Sequence, residues 1–405
     1  MARVTRLVTV GALAIALVLT VALAASAAAQ ASASGTGISP YGLVTGDTSG
    51  VEGLAAADQA IPAAIDPAAT LKRGEFVVAP LPMVNPTLEN GLAFVSGYLY
   101  RIDPHDAVTA PSASAVAGFK TSNGSWGAGV LQSLHLWHDR FRLLGVAAYA
   151  DVNYKFFGIG ESAGASGTSI ELNQAGPAGA IEGLIRVAPK WYIGARYQML
   201  RMTVTTEAIA IADGPALSAQ DANLRTAALG PRVHYDSRDN PFYPRHGMQV
   251  QGIASFYDDT VGGHRTYQAY QGWINRFNAV GTRHVFAWHA ATCGVDGSVP
   301  FYDLCMLGKS QDLRGYTVGQ YRDRAMIAAQ AEWRSELWWR FGGTVFAGAG
   351  EVVPDFGALN WNDALPGGGV GLRFTVAKRN HVNLRADYAW GKGTSALYVS
   401  VLEAF

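Results

Sequence analysis

Beyond residue 29 the 405-residue sequence holds no apolar run approaching the roughly 18 residues that a membrane-spanning helix requires. It also lacks an excess of charge of either sign. Lys and Arg total 31 and Asp and Glu total 31, so no basic field argues for nucleic acid, which is excluded as a partner class. Charge itself is scarce, at 15 % of residues against roughly 25 % in ordinary soluble domains. Cysteine is limited to Cys293 and Cys305, too few for a metal site. Catalytic signatures are missing too: no His-Glu-x-x-His, no Gly-x-Gly-x-x-Gly opening a helix, and no Gly-x-Ser-x-Gly expected on a strand-to-helix turn. His135, His138, His284 and His289 show no convincing metal-ligand spacing. No cofactor, metal or catalytic residue is therefore expected. The nearest enzymatic rival, a barrel lipase with a Ser-His pair at the membrane edge, finds no serine with a persuasive local signature.

What is present points to export. Arg3 and Arg6 precede an apolar run from Leu7 to Ala25, and Ala27, Ala28 and Ala29 supply the small residues that a signal peptidase needs. Residues 1–29 thus read as a secretory signal peptide, with an uncleaved anchor as the alternative that the length of the run leaves open. Residues 30–73 are Ala, Gly, Ser, Thr and Pro with little periodicity, as in Ser32-Ala33-Ser34-Gly35, and read as a flexible periplasmic linker. Aromatics at 11 % and 47 glycines suit strands, tight turns and interfacial girdles. An exported chain of this kind has two homes, a secreted β protein or a transmembrane barrel.

From residue 74 to residue 405 the pattern alternates with period two. In Gly369–Val376, Val370, Leu372, Phe374 and Val376 take one face and Gly371, Arg373 and Thr375 the other. Leu384, Ala386, Tyr388 and Trp390 oppose Asn383, Arg385 and Asp387. Ile193, Ala195 and Tyr197 oppose Gly194, Arg196 and Gln198; Leu229, Val233 and Tyr235 oppose Gly230, Arg232 and His234. Near Ala325–Leu337, Ile327, Ala329, Ala331 and Trp333 oppose Gln330, Glu332 and Arg334. A soluble sandwich also alternates. Isolated charges among small residues opposite a wholly apolar face, with Trp or Tyr near strand ends, favour the barrel: apolar outward to lipid, polar inward to a wet lumen. The predicted fold is an all-β transmembrane antiparallel barrel of about 16 strands over residues 74–405. Strands near Glu75 and Gly127 are the least distinct, and Pro80, Pro82 and Pro86 fit only a barrel seam or an edge. The last strand is expected to place Leu397, Val399, Val401 and Phe405 on its lipid face, with Phe405 as a C-terminal assembly signal and Glu403 a tolerated exception near the interface.

Two segments interrupt the alternation. One is Asp236-Ser237-Arg238-Asp239-Asn240-Pro241-Phe242-Tyr243-Pro244-Arg245-His246-Gly247; the other is Leu313-Arg314-Gly315-Tyr316 in a long connection from about Gly294 to Arg322. In the first, two prolines without N–H groups and a glycine free to take positive φ predict a firm turn whose Asp and Arg side chains serve its own backbone. Cys293 and Cys305 bracket the entry to the long connection; in an exported protein they pair more often than not, and two buried free thiols are the alternative.

With Phe156-Phe157-Gly158-Ile159-Gly160 and the final Glu403-Ala404-Phe405, these motifs resemble the bacterial surface-antigen barrels, the outer-membrane family of BamA, TamA and their short relatives. The resemblance runs from about Glu75 to the end. It implies an outer-membrane location, the Asp236–Gly247 turn on the periplasmic side, and an outer loop folded into the lumen. There Arg314 would meet carboxylates of the wall. Glu332 matches one of them; the other family position falls in Phe346-Ala347-Gly348-Ala349-Gly350 and carries no acid, so a weakened lock worth about 1–3 kcal/mol in a wet lumen is expected. The linker is too short for even one polypeptide-transport-associated (POTRA) repeat, which aligns the chain with a short, barrel-only branch. Expected partners are outer-membrane lipids, the barrel assembly machinery during biogenesis and a separately encoded periplasmic partner. Two functions remain open: envelope biogenesis, moving protein or lipid, and a passive channel or structural barrel.

Overall fold

Strands that hide polar side chains on one face and expose apolar ones on the other can satisfy every backbone group inside a membrane only by closing into a ring. The computed structural model, which describes residues 74–103, 106, 109, 111–206, 223–378 and 381–405, closes in this way. The expected signal peptide and linker lie outside the described residues. The strands are β1 (Glu75–Asn85), β2 (Glu89–Tyr100), β3 (Ser112–Thr121), β4 (Trp126–Leu136), β5 (Phe141–Phe156) and β6 (Ile170–Ala188). Next come β7 (Trp191–Thr206), β8 (Asn223–Asp236), β9 (Gly247–Tyr257), β10 (Tyr267–Val280), β11 (His284–Gly297), β12 (Cys305–Met306) and β13 (Arg322–Asp323). The last are β14 (Ala325–Trp338), β15 (Phe341–Val353), β16 (Leu365–Ala377), β17 (Val382–Gly391) and β18 (Thr394–Val401). All but β12 and β13, which form a ribbon of their own, build a closed antiparallel barrel of 16 strands. A short helix, α1 (Glu161–Ser166), follows β5. No helix among the described residues is long and apolar enough to cross a membrane; the barrel crosses with strands.

The faces follow the alternation. Leu229, Val233, Val370 and Leu372 look outward, while Arg232, His234, Arg373 and Arg385 are buried on the lumen side. Trp137, Trp338 and Trp339 stand exposed at the mouth where the chain ends, Trp126, Trp361 and Trp390 toward the opposite one. Two such bands are what a bilayer's two interfaces require. The first of these mouths, where β1 begins and β18 ends, is called the terminal mouth below.

The barrel closes weakly at one place. β1 pairs with β2 from Glu75↔Leu99 to Asn85↔Glu89, but its other edge meets β18 at one register pair, Val84↔Val399. Residues of an antiparallel strand turn their N–H and C=O groups alternately to either neighbour. Pro80 and Pro82 have no N–H, so within a strand fully paired to β2 they sit where the backbone turns toward β18. Continuing the register from Val84↔Val399 would set Pro82 opposite Val401 and Pro80 opposite Glu403, where no proline N–H can complete a ladder.

The chain end answers this by leaving the sheet, and the expected lipid-facing place of Phe405 is corrected. β18 stops at Val401, Leu402 takes φ 74°, and Phe405 is buried between Phe277 (ring centroids 6.4 Å) and His289 (5.5 Å). Glu403 is likewise no interfacial exception: it accepts from Arg373 Nε at 2.7 Å and Asn383 Nδ2 at 2.8 Å. A carboxylate gains more from lumenal guanidinium groups than from a lipid-facing seam that offers it no donor.

Candidate functional site

The segment between β11 and β14 is rich in apolar side chains that need a wall. Leu304, Leu307, Leu313, Tyr316 and Tyr321 are buried with Val352 and Leu365 of the barrel. The wall receives them in glycine sockets: a Cβ on Gly367 would stand 2.9 Å from Leu313 Cδ1, and one on Gly391 2.6 Å from the Tyr316 ring. Such a fit folds the segment into the lumen instead of out to solvent. It is braced on both sides. Cys305 of β12 is bonded to Cys293 of β11, at a sequence separation of 12. From the loop after β5, Gly160 N donates to Arg322 O (2.8 Å), and the Arg322 guanidinium lies 4.8 Å over the Phe156 ring.

Closing a loop of about a dozen residues stabilises by roughly 3 kcal/mol in the chain-entropy account. Unreduced peptide mass spectrometry should recover the Cys293–Cys305 pair, and its reduction should expose the inward segment to protease while leaving the barrel folded. Two alkylatable thiols in the native protein would contradict the bond.

Arg314 lies at the centre of the site. Its Nη2 donates to Glu332 Oε2 and its Nη1 to Asp387 Oδ2, both at 2.5 Å, and its Nε to Gln330 Oε1 at 3.1 Å. The guanidinium plane rests 3.4 Å from the Phe346 ring centroid. Each carboxylate is shared onward: Glu332 Oε1 accepts from Arg334 Nε at 2.8 Å, and Asp387 Oδ1 from Arg373 Nη1 at 2.5 Å. Arg373 then reaches Glu403, and Arg334 Nη2 donates to Phe405 O at 2.9 Å. The chain end and the inward loop thus belong to one ion network. Gly315, at φ 112°, donates its N–H to the Tyr398 hydroxyl at 3.1 Å; the Tyr316 hydroxyl donates to Pro366 O at 2.5 Å and accepts from Lys392 N at 2.9 Å.

Two expectations change. The second carboxylate is present but comes from β17, as Asp387, instead of the β15 position held by Gly348. A Cβ on Gly348 would lie 2.3 Å from Ala329 O, so no acid fits there. Nor is the network wet: the Arg314, Glu332 and Asp387 side chains are each 0 % exposed. The energy of breaking it is that of a buried ion set, not of a solvated pair.

A second lumenal cluster escaped the sequence reading, which placed Arg196 and Arg232 on the inward face without pairing them and did not single out Glu182 or Gln251. Glu182 Oε2 accepts from Arg196 Nε (2.8 Å) and lies 2.8 Å from Arg232 Nη1; Arg232 in turn bonds Gln251. His289 bridges Asn275 and Asp312, tying the loop to β10 and β11. The sequence also does contain one Gly-x-Ser-x-Gly on a strand-to-helix turn, Gly160–Gly164, between β5 and α1. Its glycines have structural reasons: a Cβ on Gly164 would meet Gln320 O at 2.6 Å, and Gly160 takes φ 93°. Ser162 is exposed, and among the described residues no hydrogen bond joins it to a histidine.

The Asp236–Gly247 segment makes the turn from β8 to β9 at the terminal mouth. Asp236 holds Arg238 through Nη2 at 2.7 Å; Asn240 Oδ1 accepts from Phe242 N (2.7 Å) and Tyr243 N (3.1 Å). Asp239 Oδ1 accepts from Arg245 N (2.9 Å) and His246 N (3.1 Å), and Gly247 takes φ 99° with Ser237 O where a Cβ would stand. Pro241 and Pro244 stiffen the turn, which lowers Tyr243 onto Phe277, Ala404 and Phe405.

Beside it a cavity of about 740 Å³ is lined in part by Asp139, Arg142 and Tyr192. Burial would raise the Asp139 carboxyl, but hydrogen bonds from Arg142, His135 and Tyr192 outweigh it and hold the group far below the usual carboxylate range. A carboxylate depressed in the folded state contributes stability that is present above its unfolded value, near 3.8, and lost as pH falls below that. Thermal unfolding followed from pH 6 to about pH 3 should therefore fall more steeply for the native chain than for Asp139→Asn. Parallel curves would remove Asp139 from the account.

A closed barrel with two aromatic bands and an inward loop locked through Arg314 defines an outer-membrane β-barrel protein. The Omp85 superfamily domain matches residues 137–398, and the chain belongs to that superfamily. A search of curated proteins finds no match. Among solved structures, BamA from Haemophilus ducreyi lacking POTRA domains 1-3 is similar at 13 % identity and TM-score 0.54, over 82 % of this chain and 71 % of that one. CdiB from Acinetobacter baumannii is similar at 12 % identity and TM-score 0.53, over 80 % of this chain and 59 % of that one. At such identities the likeness is one of fold.

Proposed function

We propose that this barrel serves envelope biogenesis by passing segments of protein or lipid through the seam between β1 and β18, with a separately encoded periplasmic partner supplying the cargo. In this reading residues 1–29 direct export, residues 30–73 link to the periplasmic side, the Asp236–Gly247 turn faces the periplasm, and the assembly machinery that inserts other barrels inserts this one. The chain itself performs no covalent chemistry. The observation that carries the proposal is the seam: one register pair, two prolines aimed at it, and a terminal segment withdrawn from it. Opening it breaks few hydrogen bonds, whereas opening any other junction breaks a ladder. The inward loop and its buried network fill the route that a passive channel would use, which favours the seam over the channel reading.

The test places a photo-crosslinking residue at Val78 on the outward face of the seam strand, with Val370 on β16 as reference. Polypeptide or lipid adducts should be enriched at Val78 and suppressed when Val84→Cys and Val399→Cys are joined across the seam. Equal adducts at both positions, together with steady ion conductance in planar bilayers, would support the channel instead.

A further inference from the structure

At the terminal mouth a second cavity, of about 440 Å³, opens beneath the turn from β14 to β15. Among the described residues its lining brings together five permanent cations, Arg283, Arg334, Arg340, Arg373 and Lys378, against one carboxylate, Glu336. That carboxylate is already engaged, 3.5 Å from Arg245 Nη1 and 4.0 Å from His381 Nδ1. Arg334 and Arg373 spend most of their donors on Glu332, Asp387 and Glu403, yet Arg334 Nη1 and Arg373 Nη2 are buried without a hydrogen-bond partner among the described residues. Buried donors left unmet are costly, and both belong to residues lining one cavity. An anion with several acceptor oxygens is what such a wall lacks.

The rim says where that anion comes from. Trp338 and Trp339 are 67 % and 70 % exposed, and Trp339 packs on Phe341 and Phe374 at 6.0 Å each. Beside them on the same lining is Arg340, whose Nη1 donates to Thr375 O (2.9 Å) and Val376 O (3.0 Å) while its guanidinium lies 5.7 Å from the Trp339 ring centroid. Exposed tryptophans of this kind sit at headgroup level in a bilayer. Cations held beside them meet phosphates, not free solutes alone.

We propose that this cavity binds the phosphate headgroup of an anionic phospholipid from the leaflet at the terminal mouth. The site is independent of the seam and stands or falls without it. Arg283, Arg340 and Lys378 receive the phosphate at the rim, the unmet donors of Arg334 and Arg373 strengthen the field behind it, and the tryptophans hold the glycerol and upper acyl region.

The full chain, extracted in detergent and doped with phosphatidylglycerol or phosphatidylcholine, tests this by native mass spectrometry. Phosphatidylglycerol should be retained preferentially, and Arg283→Gln and Lys378→Gln should each weaken its retention about fivefold, as expected of a basic side chain at an anionic surface. Both side chains are exposed, so the variants keep the barrel, which its altered gel migration before boiling reports. Glycerol phosphate without acyl chains should compete poorly. Equal retention of the two lipids, or retention unchanged in the double variant, would overturn the site; competition by glycerol phosphate as effective as the lipid would assign it to a soluble anion and overturn the lipid reading.

Discussion

Arg314→Ala should destabilise the protein by about 3–5 kcal/mol and release the loop between β11 and β14 to protease. The side chain is fully enclosed and joins two carboxylates that are themselves fully enclosed. Its loss leaves Glu332 with Arg334, and Asp387 with Arg373 and Arg385, so each acid keeps a cation and loses the bridge between them. Lysine should not rescue: an ammonium cannot span Glu332, Asp387 and Gln330 at once, as the planar guanidinium does. Glu332→Ala should cost a similar amount, and the double variant clearly less than the sum, with a coupling of roughly 0.5–3 kcal/mol. Additive losses, or a loop that stays protected in Arg314→Ala, would contradict the network.

Gly315→Val should rank next, at about 3 kcal/mol or more. The residue holds φ 112°, and an added Cβ would stand 2.7 Å from both the carbonyl carbon and the oxygen of Trp390. Backbone cannot yield there without moving β17, which carries Asp387. A control separates strain from collision: Gly281 also has positive φ, at 62°, but open space around its Cβ position, so Gly281→Ala should cost only about 1 kcal/mol. Thermal unfolding of the two variants in one detergent reads the difference. Equal losses would mean that the approach of Gly315 to Trp390 is not tight.

Which faces look inward was legible from period two alone, because a strand's side chains have no third direction. Arg232, Arg373, Arg385 and Asp387 fall on the lumen face by parity. What parity cannot give is register. Asp387 lies 73 residues from Arg314, and nothing local pairs them; the reading looked to the β15 position, where the Ala329 backbone leaves no room for an acid. The chain end failed for a different reason. Leu397 does face out, but the reversal at Leu402 takes positive φ in a residue that seldom adopts it, and no glycine or proline marks the break. The prolines were readable as a seam or edge signal, and they flank the seam. Their consequence, a terminal segment freed to carry Glu403 and Phe405 into the ion network, required the closed barrel to be seen.

Spin labels on Val78 of β1 and Leu397 of β18, with Val345 and Val370 as the reference pair across a full ladder, test the seam most directly. Pulsed distance measurements on the native chain in lipid bilayers should give two populations across β1 and β18, one closed and one wider, and a single narrow one across β15 and β16. Narrow single distributions at both junctions would contradict a seam that opens, and with it the function proposed.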